Sequence, residues 1–216
     1  MPHREAEPNV IVTISREYGA AGLAVADGVA NALGYELLTA DLLKRVAARL
    51  GTSPEEVAER ASAELSLPER VLAGLGDGTP ELVSAQSPPA GEFDESVRRE
   101  IERAIRERAE GGNVVILGRN AGAVLGARAG LLRVFLTAPL EWRVARIIAS
   151  FGSSRAQVLA DIERIDAGRR KVAKERYKVQ WSDARSYDVA LDVSRVGIAG
   201  AVDLVLAAVR AAEVSA

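Results

Sequence analysis

The segment Val10–Ser15, VIVTIS, is short, rich in β-branched residues and almost wholly apolar. A run of this kind, with no polar alternation, fits a strand buried on both faces, as strands of parallel sheets are. Glycines follow at positions 19 and 22, then an Ala- and Val-rich helical stretch from Leu23 to Leu33, which Gly34 ends as a C-terminal cap would. A buried strand that turns directly into a helix leaves few folds open. The next parallel strand must be reached by a right-handed crossover, and helices must cover both faces of the sheet.

The rest of the chain repeats that alternation. Tyr35–Thr39 reads as a second short strand and Asp41–Leu50 as a helix. Ser53-Pro54-Glu55-Glu56 opens another helix with a capping hydroxyl, a first-turn proline and acidic residues. Gly74–Gly91, GLGDGTPELVSAQSPPAG, has no period and reads as a mobile loop. From Asp94 to Glu110 the apolar positions Val97, Ile101, Ala104, Ile105 and Ala109 fall at helical spacing. Asn113–Leu117 and Leu131–Leu136 are the third and fourth strands, Leu140–Ser150 and Ser154 to about Lys178 are helices, Val189–Val193 is the fifth strand, and Ile198–Ala212 closes the chain as a helix. The expected architecture is an α/β fold of three layers, α/β/α, around a five-stranded parallel sheet. Such sheets bind ligands at the carboxyl ends of their strands. Ser15-Arg16, Gly118-Arg119 and Thr137 should therefore lie along one edge.

Composition limits the chemistry that edge can carry. The formal net charge is -2, against general nucleic-acid binding. There is no cysteine, so no thiolate chemistry and no Cys-based metal site. The one histidine, His3, sits in a polar N-terminal arm where catalysis would not depend on it. No apolar run reaches the roughly 18 residues that span a bilayer. The opening MPHREAEP has no apolar signal core, so the sequence reads as cytoplasmic and not membrane-bound.

Four elements could carry chemistry. The first is the turn Ser15-Arg16-Glu17-Tyr18-Gly19-Ala20-Ala21-Gly22. Its small residues would let backbone amides approach a phosphate at the positive end of the following helix. The turn departs from the phosphate-loop pattern GxxxxGK[ST]. With Gly19 as the central glycine, Gly22 stands at the lysine, Leu23 at the Ser/Thr and Ala21 at the second glycine. A tight turn made only for packing is the alternative. The second element is Gly118-Arg119-Asn120, where an arginine directly after a buried strand could grip a phosphate or pair with a surface carboxylate. The third is the basic helix bearing Arg164, Asp166, Arg169, Arg170, Lys171, Lys174, Arg176 and Lys178. It is either a solvated face or an arginine-bearing segment that closes over phosphates, and Asp166 and Arg169 share one face of it. Arg143 and Arg146, one turn apart, could add charge or pair on their own helix. The fourth is YKVQWSDARSYD, residues 177–188, whose aromatics could stack on a base or lock the basic helix onto the sheet.

Together these elements resemble the cytidylate kinase-like family, a branch of the P-loop nucleoside monophosphate kinases. The resemblance rests on VTISREYGAAG, VVILGRNA, LRVFLTAPLEWRVARI and IDAGRRKVAKERYKVQWSDARSYDVALD, and spans Val10 to about Ile198. It implies one P-loop kinase-like domain over 1–216: a flexible arm at 1–9, a helical nucleotide-binding segment at about 40–95 enclosing the loop 74–91, and a lid-like segment at about 152–186. It also implies ATP- and Mg2+-dependent phosphorylation of a nucleoside monophosphate such as CMP or dCMP, with the nucleotide as small-molecule partner. Carried over, Ser15, Arg16, Gly19, Ala20, Ala21, Gly22 and Leu23 form the phosphate loop, Arg119 meets the acceptor monophosphate with Asn120 after it, and Asp166 and Arg169 match lid residues. In a working kinase Arg16, Asp166, Arg169 and Arg170 are the candidate catalytic groups, Arg143 and Arg146 could add charge at the phosphate loop, Asp41 is a candidate at the acceptor, and Asp41 or Asp166 could hold magnesium through water. The family's cytidylate kinases have Asp where this chain has Asn120. Relatives with the SREYG-type loop have Ser-Gly at Ala20-Ala21 and Arg at Leu23. The missing loop lysine, loop hydroxyl and strand-three carboxylate motivate the opposite reading, a nucleotide-binding or interaction module without catalysis.

Overall fold

The computed structural model describes residues 10–39, 41–54, 56–57 and 92–213. The arm at 1–9, the loop at 74–91 and most of the segment at about 40–95 lie outside the described residues. In chain order the elements are β1 (Ile11–Arg16), α1 (Gly22–Leu33), β2 (Glu36–Leu38), α2 (Asp41–Leu50), α3 (Glu92–Glu110), β3 (Val114–Leu117), α4 (Ala121–Leu125), β4 (Leu131–Thr137), α5 (Leu140–Phe151), α6 (Arg155–Tyr177), β5 (Val189–Asp192) and α7 (Val193–Glu213).

The five strands form one parallel sheet in the order β2-β3-β1-β4-β5. Because side chains alternate across a strand, β1 feeds two cores at once. Ile11 joins Val114, Ile116 and the apolar stripes of α2, α3 and α4 on one face. Val12 and Ile14 join Val115, Leu117, Val134 and the inner faces of α1 and α7 on the other. Double burial is why VIVTIS has no polar alternation. α1 and α7 approach closely at Gly28, where a Cβ would stand 2.7 Å from Val202 Cγ2. α5 and α6 pack on each other beyond the strand ends, through Val144, Ile147, Val158, Ile162 and Ile165, and take Tyr18 of the first turn into that cluster.

Two details differ from the expectations. α4 was not foreseen, since AGAVL is too short to display a period. α7 starts directly at Val193, and the helix expected from Ile198 is the limb beyond a break at Gly197, φ 72°. The helix expected after Ser53 opens as read within the described residues, with the Ser53 hydroxyl accepting from the Glu56 amide at 3.1 Å.

The outer strand β5 is held by one side chain as well as by its ladder. The Asp188 carboxylate accepts from the Arg133 amide at 2.8 Å, Nε at 3.1 Å and Nη2 at 2.8 Å, while the Asp188 amide donates to the Arg133 carbonyl at 2.8 Å. Partial burial pushes the Asp188 carboxyl up, but the Arg133 bonds prevail and hold it below its ordinary value of 3.8. A carboxylate with a lowered folded pKa contributes stability above its unfolded pKa and loses it as the pH falls. Solvent screens this part-exposed pair, so Asp188→Asn should cost about 0.5–1 kcal/mol at neutral pH, and the gap to wild type should narrow as the pH falls to about 3, as denaturant unfolding at the two pH values would read.

Candidate active site

The carboxyl end of β1 carries Arg16, and three glycines shape the space around it. The aliphatic stem of Arg16 crosses Gly22, the first residue of α1, where a Cβ would stand 2.6 Å from Arg16 Cγ. Its guanidinium lies against Gly118 at the end of β3, at a point where a Cβ would overlap Nη1. Gly19, φ 88°, lets the turn lie on α5, with Arg143 Cβ at 3.0 Å and Ile147 Cδ1 at 2.9 Å from where its own Cβ would be. After Gly118, Arg119 and Asn120 are both left-handed, with φ 56° and 50°. Two successive non-glycine residues in that region store backbone strain of order 1 kcal/mol or more each.

The turn is bolted in place from outside. The buried Asp166 carboxylate of α6 accepts from the Tyr18 amide at 2.9 Å and from Arg143 Nη1 at 2.8 Å. Arg143 Nη1 also donates to the Tyr18 carbonyl at 3.2 Å, and Arg169 Nη1 donates to the Arg16 carbonyl at 2.9 Å. Glu17 reaches the other way and accepts from Thr137 Oγ1 at 2.5 Å and the Ala138 amide at 3.2 Å. Burial pushes the Asp166 carboxyl up from its ordinary value, opposed by the Tyr18 amide, Arg169 and Arg143.

Above this turn opens a cavity of about 510 Å³, lined by the turn, the first residues of α1, the end of β2 and the last turns of α5. Ala21, φ 56°, precedes α1 and no side chain caps that helix. Its first intrahelical bond is donated by Val25, so the amides of Gly22, Leu23 and Ala24 precede the bonded ladder on the cavity wall. Arg16, Arg146 and Arg169 line the same cavity, against the carboxylates Glu17 and Asp27. Arg146 is steadied over the Trp142 ring, 5.8 Å from its centroid. Uncapped amides at a helix N-terminus with converging arginines fit a phosphate chain.

A family model for the cytidylate kinase-like family matches residues 11–195. The chain belongs to the cytidylate kinase-like family. Among curated relatives in this family's range of names, a cytidylate kinase of Natronomonas pharaonis is 28% identical, with 94% of this chain and 90% of that protein covered. A cytidylate kinase of Methanothrix thermoacetophila is 26% identical over 94% of this chain and 99% of its own length. Among solved structures, an uncharacterized protein from Eubacterium ventriosum superposes with a TM-score of 0.67 at 20% identity, covering 93% of this chain and 98% of the other. Shikimate kinase from Bacteroides thetaiotaomicron superposes with a TM-score of 0.52 at 15% identity, with the same coverages of 93% and 98%. The fold is thus that of the P-loop nucleoside monophosphate kinases. Family and fold together support nucleotide kinase function.

Against that family frame the expected site residues separate into groups. Arg16, Gly19, Ala21, Gly22, Leu23, Arg146 and Arg169 line the large cavity, whereas Ala20 is buried beneath it. Arg143 and Asp166 lie under the turn and hold it. Arg170 is on the outer face of α6, 3.5 Å from Glu163. Ser15 points to the opposite face of the sheet, into a second cavity of about 200 Å³ shared with Asn120, Arg133, Trp181 and Tyr187. Arg119 is half-buried at the β3 turn and lines neither cavity. The side chain of Asp41 lies outside the described residues.

The family's basic tail is mostly paired. Arg176 bonds Glu95 of α3 at 2.7 and 2.9 Å and Glu102 at 3.0 Å, and Tyr177 donates to Glu102 at 2.7 Å. The aromatics of residues 177–188 lock the chain after α6 to the sheet: Phe135 of β4 stacks on Tyr187 at 4.9 Å and meets Trp181 edge-on at 5.3 Å. Leu37, Thr39, Asp27 and Ser150 on the cavity wall had no sequence signal, because only packing brings α1, β2 and α5 together.

Removing the Asp166 carboxylate takes the nearest counter-charge from two buried arginines, which keep the Tyr18 and Arg16 carbonyls; breaking such a buried pair costs about 3–5 kcal/mol. Asp166→Ala should lose that amount in denaturant unfolding, and Asp166→Asn, which still accepts from the Tyr18 amide, should lose distinctly less.

Proposed function

We propose that the protein transfers the terminal phosphoryl group of ATP to a pyrimidine nucleoside monophosphate, CMP or dCMP. The observation that carries this reading is the uncapped start of α1 facing a 510 Å³ cavity together with Arg16, Arg146 and Arg169. Phosphoryl transfer asks a protein chiefly to position the reactants and to neutralise charge on the transferred group. The backbone amides of Gly22, Leu23 and Ala24 would hold phosphate oxygens, and the arginines would balance charge around them. α6, within the lid-like segment proposed for about 152–186, brings Arg169 to the wall and, through Asp166, fixes the turn beneath it. Bound Mg2+ would supply charge neutralisation across the outer phosphates. Among the described residues there is no cluster of three or more metal-ligating side chains; Mg2+ keeps several waters, so one carboxylate acting through water would serve to hold it. Of the two cavity carboxylates, Glu17 is committed to Thr137 and Ala138, and Asp27 accepts from Asn31 at 3.0 Å one helical turn away. The relatives named as cytidylate kinases support the choice of acceptor. A cytoplasmic setting belongs to the same proposal. Among the described residues no helix is long and apolar enough to cross a membrane.

One set of observations favours a second reading, a nucleotide-binding module without turnover. Gly22 and Leu23 occupy the lysine and hydroxyl positions of the loop, and Asp166 is spent on the turn. Incubation of the folded protein with ATP, Mg2+ and a panel of nucleoside monophosphates separates the two. Turnover is expected with CMP and dCMP in preference to purine acceptors. Nucleotide binding without product from any acceptor would leave the second reading standing.

A further inference from the structure

The phosphate-loop pattern places its first glycine six residues before its lysine. With Gly22 at the lysine position, Arg16 falls on that first glycine. The chain therefore carries the pattern's cation and its glycine in exchanged places. The structure gives the exchange a physical meaning. The stem of Arg16 runs over Gly22, where any Cβ would be 2.6 Å from Arg16 Cγ, so side chains at 16 and 22 compete for one space. The Arg16 head then lies against Gly118 at the end of β3, in the crevice beside the N-terminus of α1, and lines the large cavity.

We infer that Arg16 is the phosphate-binding cation of this loop, delivered from the end of β1 instead of the start of α1, and that Gly22 is glycine to leave room for it. The inference rests on the proposed use of the cavity for a nucleoside triphosphate. Gly22 has no left-handed φ, so its backbone does not demand glycine and the Arg16 stem does. Three bonds from neighbouring elements fix the turn around it: those of Asp166 and Arg143 to Tyr18 and of Arg169 to the Arg16 carbonyl. With the backbone of the turn so held and the stem lodged over Gly22, the path of the Arg16 side chain is set before a phosphate arrives.

The test is a reciprocal exchange read by calorimetric binding of ATP with Mg2+, alongside thermal unfolding and turnover. Arg16→Gly should weaken ATP binding by about tenfold or more. Gly22→Ala, which adds no charge and suits a helix, should also weaken it by displacing the Arg16 stem. The double variant Arg16→Gly/Gly22→Lys should recover affinity to within about threefold of wild type, whereas Arg16→Gly/Gly22→Ala should not. Arg16→Lys retains a cation on the same path and should keep most of the affinity. Wild-type affinity in Arg16→Gly, or no recovery in a folded double variant, would overturn the inference. Failure of wild type to bind ATP would overturn it together with the proposed function. Binding and recovery without product from any acceptor would uphold the exchange and remove only the kinase reading.

Discussion

The site depends on one buried ion pair. Asp166 of α6 and Arg143 of α5 meet beneath the first turn, and both bond its backbone at Tyr18. A carboxylate taken out of water is costly unless its oxygens are satisfied. Here one oxygen takes a backbone amide and the other a guanidinium, so the pair holds only when the turn has one shape. That shape aims the start of α1 at the cavity and leaves Ala21 left-handed before it. Tyr18, buried between α5 and α6, adds an apolar anchor to the polar one.

This arrangement ties the loop to α6. In a P-loop fold the glycine-rich turn can be pictured as a preformed cradle and the arginine-bearing helix as a separate cover. In this chain the cover supplies bonds to the cradle itself, from Asp166 to Tyr18 and from Arg169 to Arg16. Displacing α6 from the turn would therefore expose two arginines and a carboxylate that are now buried. The far end of α6 is held as well, by Arg176 and Tyr177 on the carboxylates of α3 and by the aromatic cluster on β4. Several residues that resemble reaction groups in sequence thus act here on protein backbone.

The parallel sheet, its strand ends and most helix limits were legible in the sequence because double burial and helical spacing are local signals. VIVTIS, NVVIL and the stripe Val97, Ile101, Ala104, Ile105 announce themselves without knowledge of their neighbours. α4 and the helical residues from Val193 to the break at Gly197 were not legible, both being too short to display a period. The arginines at positions 16, 143, 146, 169 and 170 were all legible as charge near the right edge of the sheet. Their separate tasks were not, because a charge in sequence has no direction.

By itself the sequence determined the α/β class, the edge on which a ligand site must lie and the unusual residue types of the first turn. Each follows from patterns a few residues long. Tertiary structure alone decided that Asp166 and Arg143 clamp Tyr18, that Ser15 and Arg16 face opposite sides of the sheet, and that the Arg16 stem fills the space over Gly22. The physical reason is distance along the chain. Tyr18 and Asp166 are separated by 148 residues, and only the packing of α5 and α6 beyond the strand ends brings their atoms together.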